Sequence, residues 1–148
     1  MYNLTQPIVV GVIVFALSQY FLKLILEPII QFRKLLSEIS HTLLFYQKEL
    51  LYGNFDDHSL HQEIAGLSAR LRASIYSIPF YNFLFKLKIF GLPKRENILL
   101  ACRKLNVLSY PRIKDVEGSG EKAQTNEKTL KDISKLLPIE TTFMLDEE

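Results

Sequence analysis

The chain of 148 residues contains a single cysteine, Cys102. One thiol excludes a disulfide framework within the chain, so the fold must hold by packing and needs no oxidising compartment. A Gly-rich phosphate loop, a nucleophile elbow and a paired-carboxylate pattern are also missing. No catalytic residue is therefore assigned, and the protein is expected not to be an enzyme. His58 and His61, beside Asp56, Asp57 and Glu63, come nearest to a metal site. Zinc requires three or four convergent ligands, and capping at a helix start accounts for the same residues, so neither metal nor cofactor is expected. Cys102, on an apolar helix face with no histidine near it in sequence, reads as an inert buried thiol.

The most informative absence is of charge. No charged side chain occurs from Met1 to Leu22, and Lys23 is the only one among the 19 residues from Ile8 to Leu26. About 20 residues at ~1.5 Å rise cross the ~30 Å hydrocarbon core of a bilayer. Residues 1–27 are accordingly read as a transmembrane anchor, with Lys23 near enough to the end to extend its ammonium to the headgroups. Ser18 and Gln19 weaken the stretch without disqualifying it, because a helix satisfies its own backbone in lipid. Three other readings compete. A buried soluble helix rarely runs this long without a charge. A cleavable signal peptide finds a small-x-small site at Ala16-Leu17-Ser18 but no Lys or Arg ahead of the apolar run. A re-entrant hairpin has nothing to supply its turn. Lys23, Arg33 and Lys34 follow the span and no basic side chain precedes it, which predicts the N-terminus outside and the C-terminus cytoplasmic.

Beyond the span the pattern is all-α. Pro28 is expected to kink or restart the helix. Ile29, Phe32, Leu36, Ile39, Leu43, Tyr46 and Leu50 then form a heptad seam, widened by Leu35, Leu44 and Leu51. The width favours packing within the chain over self-association as a coiled coil. Projected back through the membrane, the register reaches Gly11 and Ser18, small residues that would let another transmembrane helix approach. Gly53-Asn54 reads as a helix stop and Asp56-Asp57 as the next start. Leu60, Ile64, Leu67, Leu71, Ile75 and Ile78 keep helical spacing, predicting an antiparallel hairpin that ends or bends at Pro79. Pro93 should open a further helix at its first position, bearing Ile98, Leu99, Cys102, Leu105 and Leu108, with Pro111 closing it. Residues 28–113 make up this helical domain.

Charge divides at the same place. Met1 to Ile113 holds 13 Lys/Arg against 7 Asp/Glu, and Lys114 to Glu148 holds 5 against 9. Residues 114–148 read as a flexible linker over Lys114–Lys128, a short helix around Leu130, Ile133, Leu136 and Leu137, and an acidic tail. The linker, the acid and Phe143-Met144-Leu145 suggest a cytoplasmic protein partner engaged through 129–145.

The segment from Ile78 to Leu92 is rich in aromatics (Phe80, Tyr81, Phe83, Phe85, Phe90) with Lys86 and Lys88 as its only charges. It is too short and interrupted for a second span. Arg70, Arg72, Lys86, Lys88, Lys94 and Arg95 surround it, and Glu96 is the sole acid between Arg70 and Arg112. Anionic headgroups attract such a set, and aromatics can dip into the interface beside it. Two readings stay open: contact with the inner leaflet, or simply the core of the hairpin. Nucleic acid or a nucleotide ranks well below lipid, since no binding motif accompanies the charge.

The runs LILEPIIQFRKLLSEIS (Leu24 to Ser40) and LRASIYSIPFY (Leu71 to Tyr81) resemble segments of small bacterial single-pass membrane proteins. The resemblance covers roughly Ile8 to Ser109 and implies a location in the inner membrane, without implying an activity or site residues. The sequence thus leads to a non-enzymatic, membrane-anchored helical interaction module that holds a partner or its own oligomer at the bilayer. The alternative is a membrane effector or channel subunit assembling through Gly11 and Ser18.

Overall fold

The computed structural model describes residues 5–52, 58–110 and 119–143. Every described element is helical: α1 (Thr5–Phe21), a π-helical turn (Leu22–Leu26), α2 (Glu27–Phe45), α3 (Gln47–Tyr52), α4 (His58–Ser77), α5 (Tyr81–Lys86), α6 (Arg95–Leu108) and α7 (Ser119–Leu136). The first three run on as one helix, which gives six helices among the described residues.

Pro28 does not restart the helix, which runs on from Gln6 to Phe45. Proline has no N–H to donate, and its ring crowds the carbonyl four residues back, here that of Leu24. The turn before it is π-helical, with the Glu27 N–H reaching back to the Leu22 carbonyl. Widening the helix by one residue at this place makes room for the ring. Tyr46 bends away from helical geometry (φ −96°, ψ 17°), yet the bonds Tyr46 N–H to Thr42 O and Leu50 N–H to Tyr46 O carry the chain on into α3.

The seam is spent inside the chain. Ile29, Phe32, Leu35, Leu36, Ile39, Leu43, Leu50 and Leu51 are buried together with Leu60, Ile64, Leu67, Leu71, Ile75 and Ile78 of the second helix. Arg70 pairs with Glu38, and the Thr42 hydroxyl donates to Glu63, so α4 runs antiparallel to α2. The expected stop at Gly53-Asn54, the start at Asp56-Asp57 and Pro111 lie outside the described residues. α6 packs back along α4 through Ile98, Ala101, Cys102, Leu105 and Leu108, and the Ser68 hydroxyl donates to the Cys102 carbonyl at 2.8 Å. Pro93 does not open α6, which starts two residues later at Arg95. Instead its carbonyl accepts a 2.6 Å hydrogen bond from the Tyr81 hydroxyl.

The C-terminal region departs furthest from expectation. Residues 119–128 are not a flexible linker but the first half of α7, an 18-residue helix rather than a short one. Composition alone argues for coil there, since the stretch has glycine, charge and almost no apolar residue. Tertiary contacts override it. Leu130 and Ile133 are 0% exposed, the Asn126 amide donates to the Leu50 carbonyl at the end of α3, and Lys104 on α6 holds Asp132 at 2.7 Å. After Pro138 the chain folds back over α2 and α3: Ser40 donates to the Glu140 carbonyl and the Phe143 N–H to the Gln47 side chain, while the Thr141 hydroxyl donates to the Leu130 carbonyl of α7 itself. The leucine side of 129–137 is therefore part of the core.

If docking is what makes α7 helical, removing its anchor should loosen the whole body. Ile133→Ala is expected to destabilise by about 2–5 kcal/mol, as large-to-small core changes do. Exposed Lys135→Ala should stay within about 0.5 kcal/mol. Denaturation of the detergent-solubilised full chain followed by circular dichroism measures both.

Candidate membrane-facing surface

The described side chains from Gln6 to Leu24 are all exposed, so the most apolar part of the molecule touches no other element. By length and composition it is the one helix among the described residues that suits a membrane crossing, and both an anchor and a signal sequence meet that criterion. Gly11 has nothing within 4 Å of where a side chain would begin. Ser18 turns its hydroxyl back to the Val14 carbonyl at 2.8 Å, which removes an unsatisfied donor from this face.

Where this helix enters the body, the segment Ile78–Leu92 lies beside it. The antiparallel course of α4 causes this. Arg70 stands opposite Glu38, so about 10 Å further along α4, seven residues of rise, the chain at Ser77 has returned towards the beginning of α2. Ile78 precedes a proline and leaves the helical region, as such residues are biased to do. Phe80 and Lys88 both take left-handed backbone (φ 54° each), and Gly91 takes φ 57°. For a residue with a side chain that conformation costs roughly 1–3 kcal/mol, so the surroundings must impose it. Two bonds hold the segment here: the Tyr81 hydroxyl donates to the Pro93 carbonyl, and the Arg33 guanidinium to the Phe90 carbonyl at 2.7 Å.

The aromatics divide. Tyr81 and Leu84 are core, and Phe85 and Phe90 are half-buried against it. Phe80 (75% exposed), Phe83 (62%) and Ile89 (72%) point outward, with Leu87 also exposed. Neither sequence reading holds for the whole segment: one side roots it and the other is open. Burial raises the Tyr81 hydroxyl pKa to about 12, so it remains a donor across the neutral range.

The expected basic contacts fall into three places. Lys86 and Lys88 lie on the aromatic segment itself and, with Lys94, make no ion pair among the described residues. Arg95 sits 5.1 Å above the Tyr76 ring at the start of α6, on the same side of the body. Arg70 is engaged elsewhere, holding both oxygens of Glu38 at 2.6 and 2.9 Å, and this hydrogen bonding raises its pKa further. Arg72 lines a cleft of about 330 Å³ between α4 and α6 with Arg103, Ser68 and Cys102. Two residues were missed in the sequence, Arg33 and Tyr76. Arg33 was seen only as an orienting charge, because a contact between positions 57 apart leaves no local pattern. Of the imidazole pair, His61 is buried and the His58 side chain lies outside the described residues.

No family model, curated protein or solved structure matches the chain.

Cys102 offers a check on the body's packing. Burial pushes its thiol up to about 11, with Arg72 opposing the shift weakly. The neutral thiol is the favoured form in the fold, so its contribution to stability is complete below the ordinary value of 9.0 and is lost as pH rises towards 11. Alkylation of the native protein by iodoacetamide should be slow at pH 7–8 and accelerate only through that alkaline window.

Proposed function

We propose that this protein is a single-pass, non-enzymatic helical module of the inner membrane, its N-terminus outside and its body in the cytoplasm, that holds a partner or its own copies at the bilayer. The observation that carries the reading is the uninterrupted passage of a wholly exposed apolar helix into the core of the body. α1 has nothing to pack on, whereas one to three turns after it Ile25 packs against the core and Ile29 and Phe32 belong to it. A cleavable leader is ordinarily set off from the fold it precedes. Here the small-x-small site Ala16-Leu17-Ser18 lies mid-helix, which supports an anchor that stays. Lys23, Arg33 and Lys34 on the body side support the orientation.

A protein partner would have to dock on what the fold leaves exposed. The leucines of α7 are committed inside, so a partner meeting 129–143 would find the polar side of α7 and the exposed Phe143. The seam of α2 is likewise occupied, which leaves α1 as the place for self-association. The open space around Gly11 favours that route and keeps the effector or channel-subunit reading as the second one, since a lone helix encloses no pore and would have to assemble.

In membranes, the protein should stay in the pellet after alkaline carbonate washing. On a Cys102→Ala background, Asn3→Cys should react with an impermeant maleimide in intact cells, and Phe143→Cys only after permeabilisation. Release by carbonate defeats the anchor, and the reverse labelling pattern defeats the orientation. Oxidative crosslinking of Ser18→Cys, weakened by Gly11→Leu, is the outcome expected of assembly through α1.

A further inference from the structure

The anchor accounts for α1 but leaves the outward half of the Ile78–Leu92 segment without a role. Phe80, Phe83, Leu87 and Ile89 are large apolar side chains turned away from a core that their neighbours Tyr81 and Leu84 enter. Isolated exposed apolar residues are ordinary. Four within ten positions, on backbone held left-handed at Phe80 and Lys88, are not. Their place in the fold narrows what could cover them. The Arg33 bond to Phe90 ties the segment to the stretch of helix that follows the apolar run, and the antiparallel course of α4 keeps it at that end. Lys86 and Lys88 lie between the apolar residues, Lys94 and Arg95 follow, and no acid occurs from Ile78 to Arg95.

We infer that this segment is a second membrane contact: Phe80, Phe83, Leu87 and Ile89 insert into the headgroup region of the leaflet that α1 enters, and Lys86, Lys88, Lys94 and Arg95 engage its anionic lipids. The inference rests on the anchored reading and adds a fixed posture to it. The continuous helix sets how the body stands on the bilayer, and the second contact fixes which side of it meets the lipid, leaving α7 with the C-terminal tail to the cytoplasm. Apolar insertion and charge act together here, as in other interfacial segments, each basic residue near an anionic surface contributing about fivefold in partitioning. The segment is tied to the body without lipid, through the Tyr81 hydroxyl on Pro93 and the Arg33 guanidinium on Phe90.

The chain has no tryptophan, so one substitution gives a single reporter. Full-length Phe83→Trp is reconstituted into vesicles of phosphatidylcholine and phosphatidylserine containing brominated acyl chains. Phe143→Trp, more exposed still but with its backbone N–H bonded to Gln47 at the far end of the body, serves as the control. The inference predicts strong quenching and a blue-shifted emission for Phe83→Trp, little of either for Phe143→Trp, and a loss of at least half the Phe83→Trp quenching when Lys86→Glu and Lys88→Glu are added. Equal, weak quenching of the two reporters in protein that floats with the vesicles overturns the inference and leaves the anchor standing. A Phe83→Trp reporter shielded from iodide yet unquenched by bromine also overturns it, by showing that protein covers the segment. Failure of the full chain to float overturns the anchor and this contact with it.

Discussion

A proline just beyond an apolar helix would ordinarily uncouple what lies on its two sides, because it removes a backbone hydrogen bond and pushes on the carbonyl one turn back. In this chain the π-helical turn Leu22–Leu26 absorbs both effects before Pro28 arrives, and the helix passes on into α2. The arrangement of the rest follows from that continuity. α2 continues the helix from α1, α4 returns along it, and the return places Ile78–Leu92 towards the beginning of α2. Had the helix broken at Pro28, the body would be a separate unit on a tether, and the proximity of the aromatic segment to the apolar helix would have no structural cause.

A single helix here joins two stretches with opposite surfaces. Over α1 it exposes only apolar and a few uncharged polar side chains and offers nothing to a core, a surface that lipid would suit. Its second half is amphipathic and buries one stripe. The body built on that stripe is closed by the C-terminal region: α7 docks through Leu130 and Ile133, and the residues after Pro138 return over α2 and α3 by one hydrogen bond to each. The ion pair between Lys104 and Asp132 joins α6 to α7, and that hydrogen bond holds the Asp132 carboxyl below the ordinary carboxylate range. Its help to the fold is present above that range and fades as pH falls through it.

Much of this was legible in the residues because burial on helices repeats. The seam positions of α2 and the apolar positions of α4 and α6 read directly as core, since a stripe of that width has few alternatives to intrachain packing. What escaped depended on contacts distant in sequence or on backbone adjustments. Pro28 reads as a break unless the π-turn before it is known. The first half of α7 reads as coil because what stabilises it, Asn126 on Leu50 and Lys104 on Asp132, comes from elsewhere in the chain. In the aromatic segment, composition identified an unusual surface but could not divide it: Phe83 and Leu84 are adjacent, and only the turn set by Phe80 and Tyr81 sends one outward and the other in.

Continuity of the helix through Pro28 is the claim on which the posture of the body depends, and a distance across the proline tests it most directly. Spin labels at Tyr20→Cys and Ser37→Cys, both exposed, on a Cys102→Ala background in lipid vesicles, bracket the π-turn. An unbroken helix separates the two backbone sites by roughly 25 Å, and the interspin distribution should be single and narrow. A broad distribution, or one centred well below that distance, would mean that the chain hinges at Pro28 and that the anchor does not orient the body.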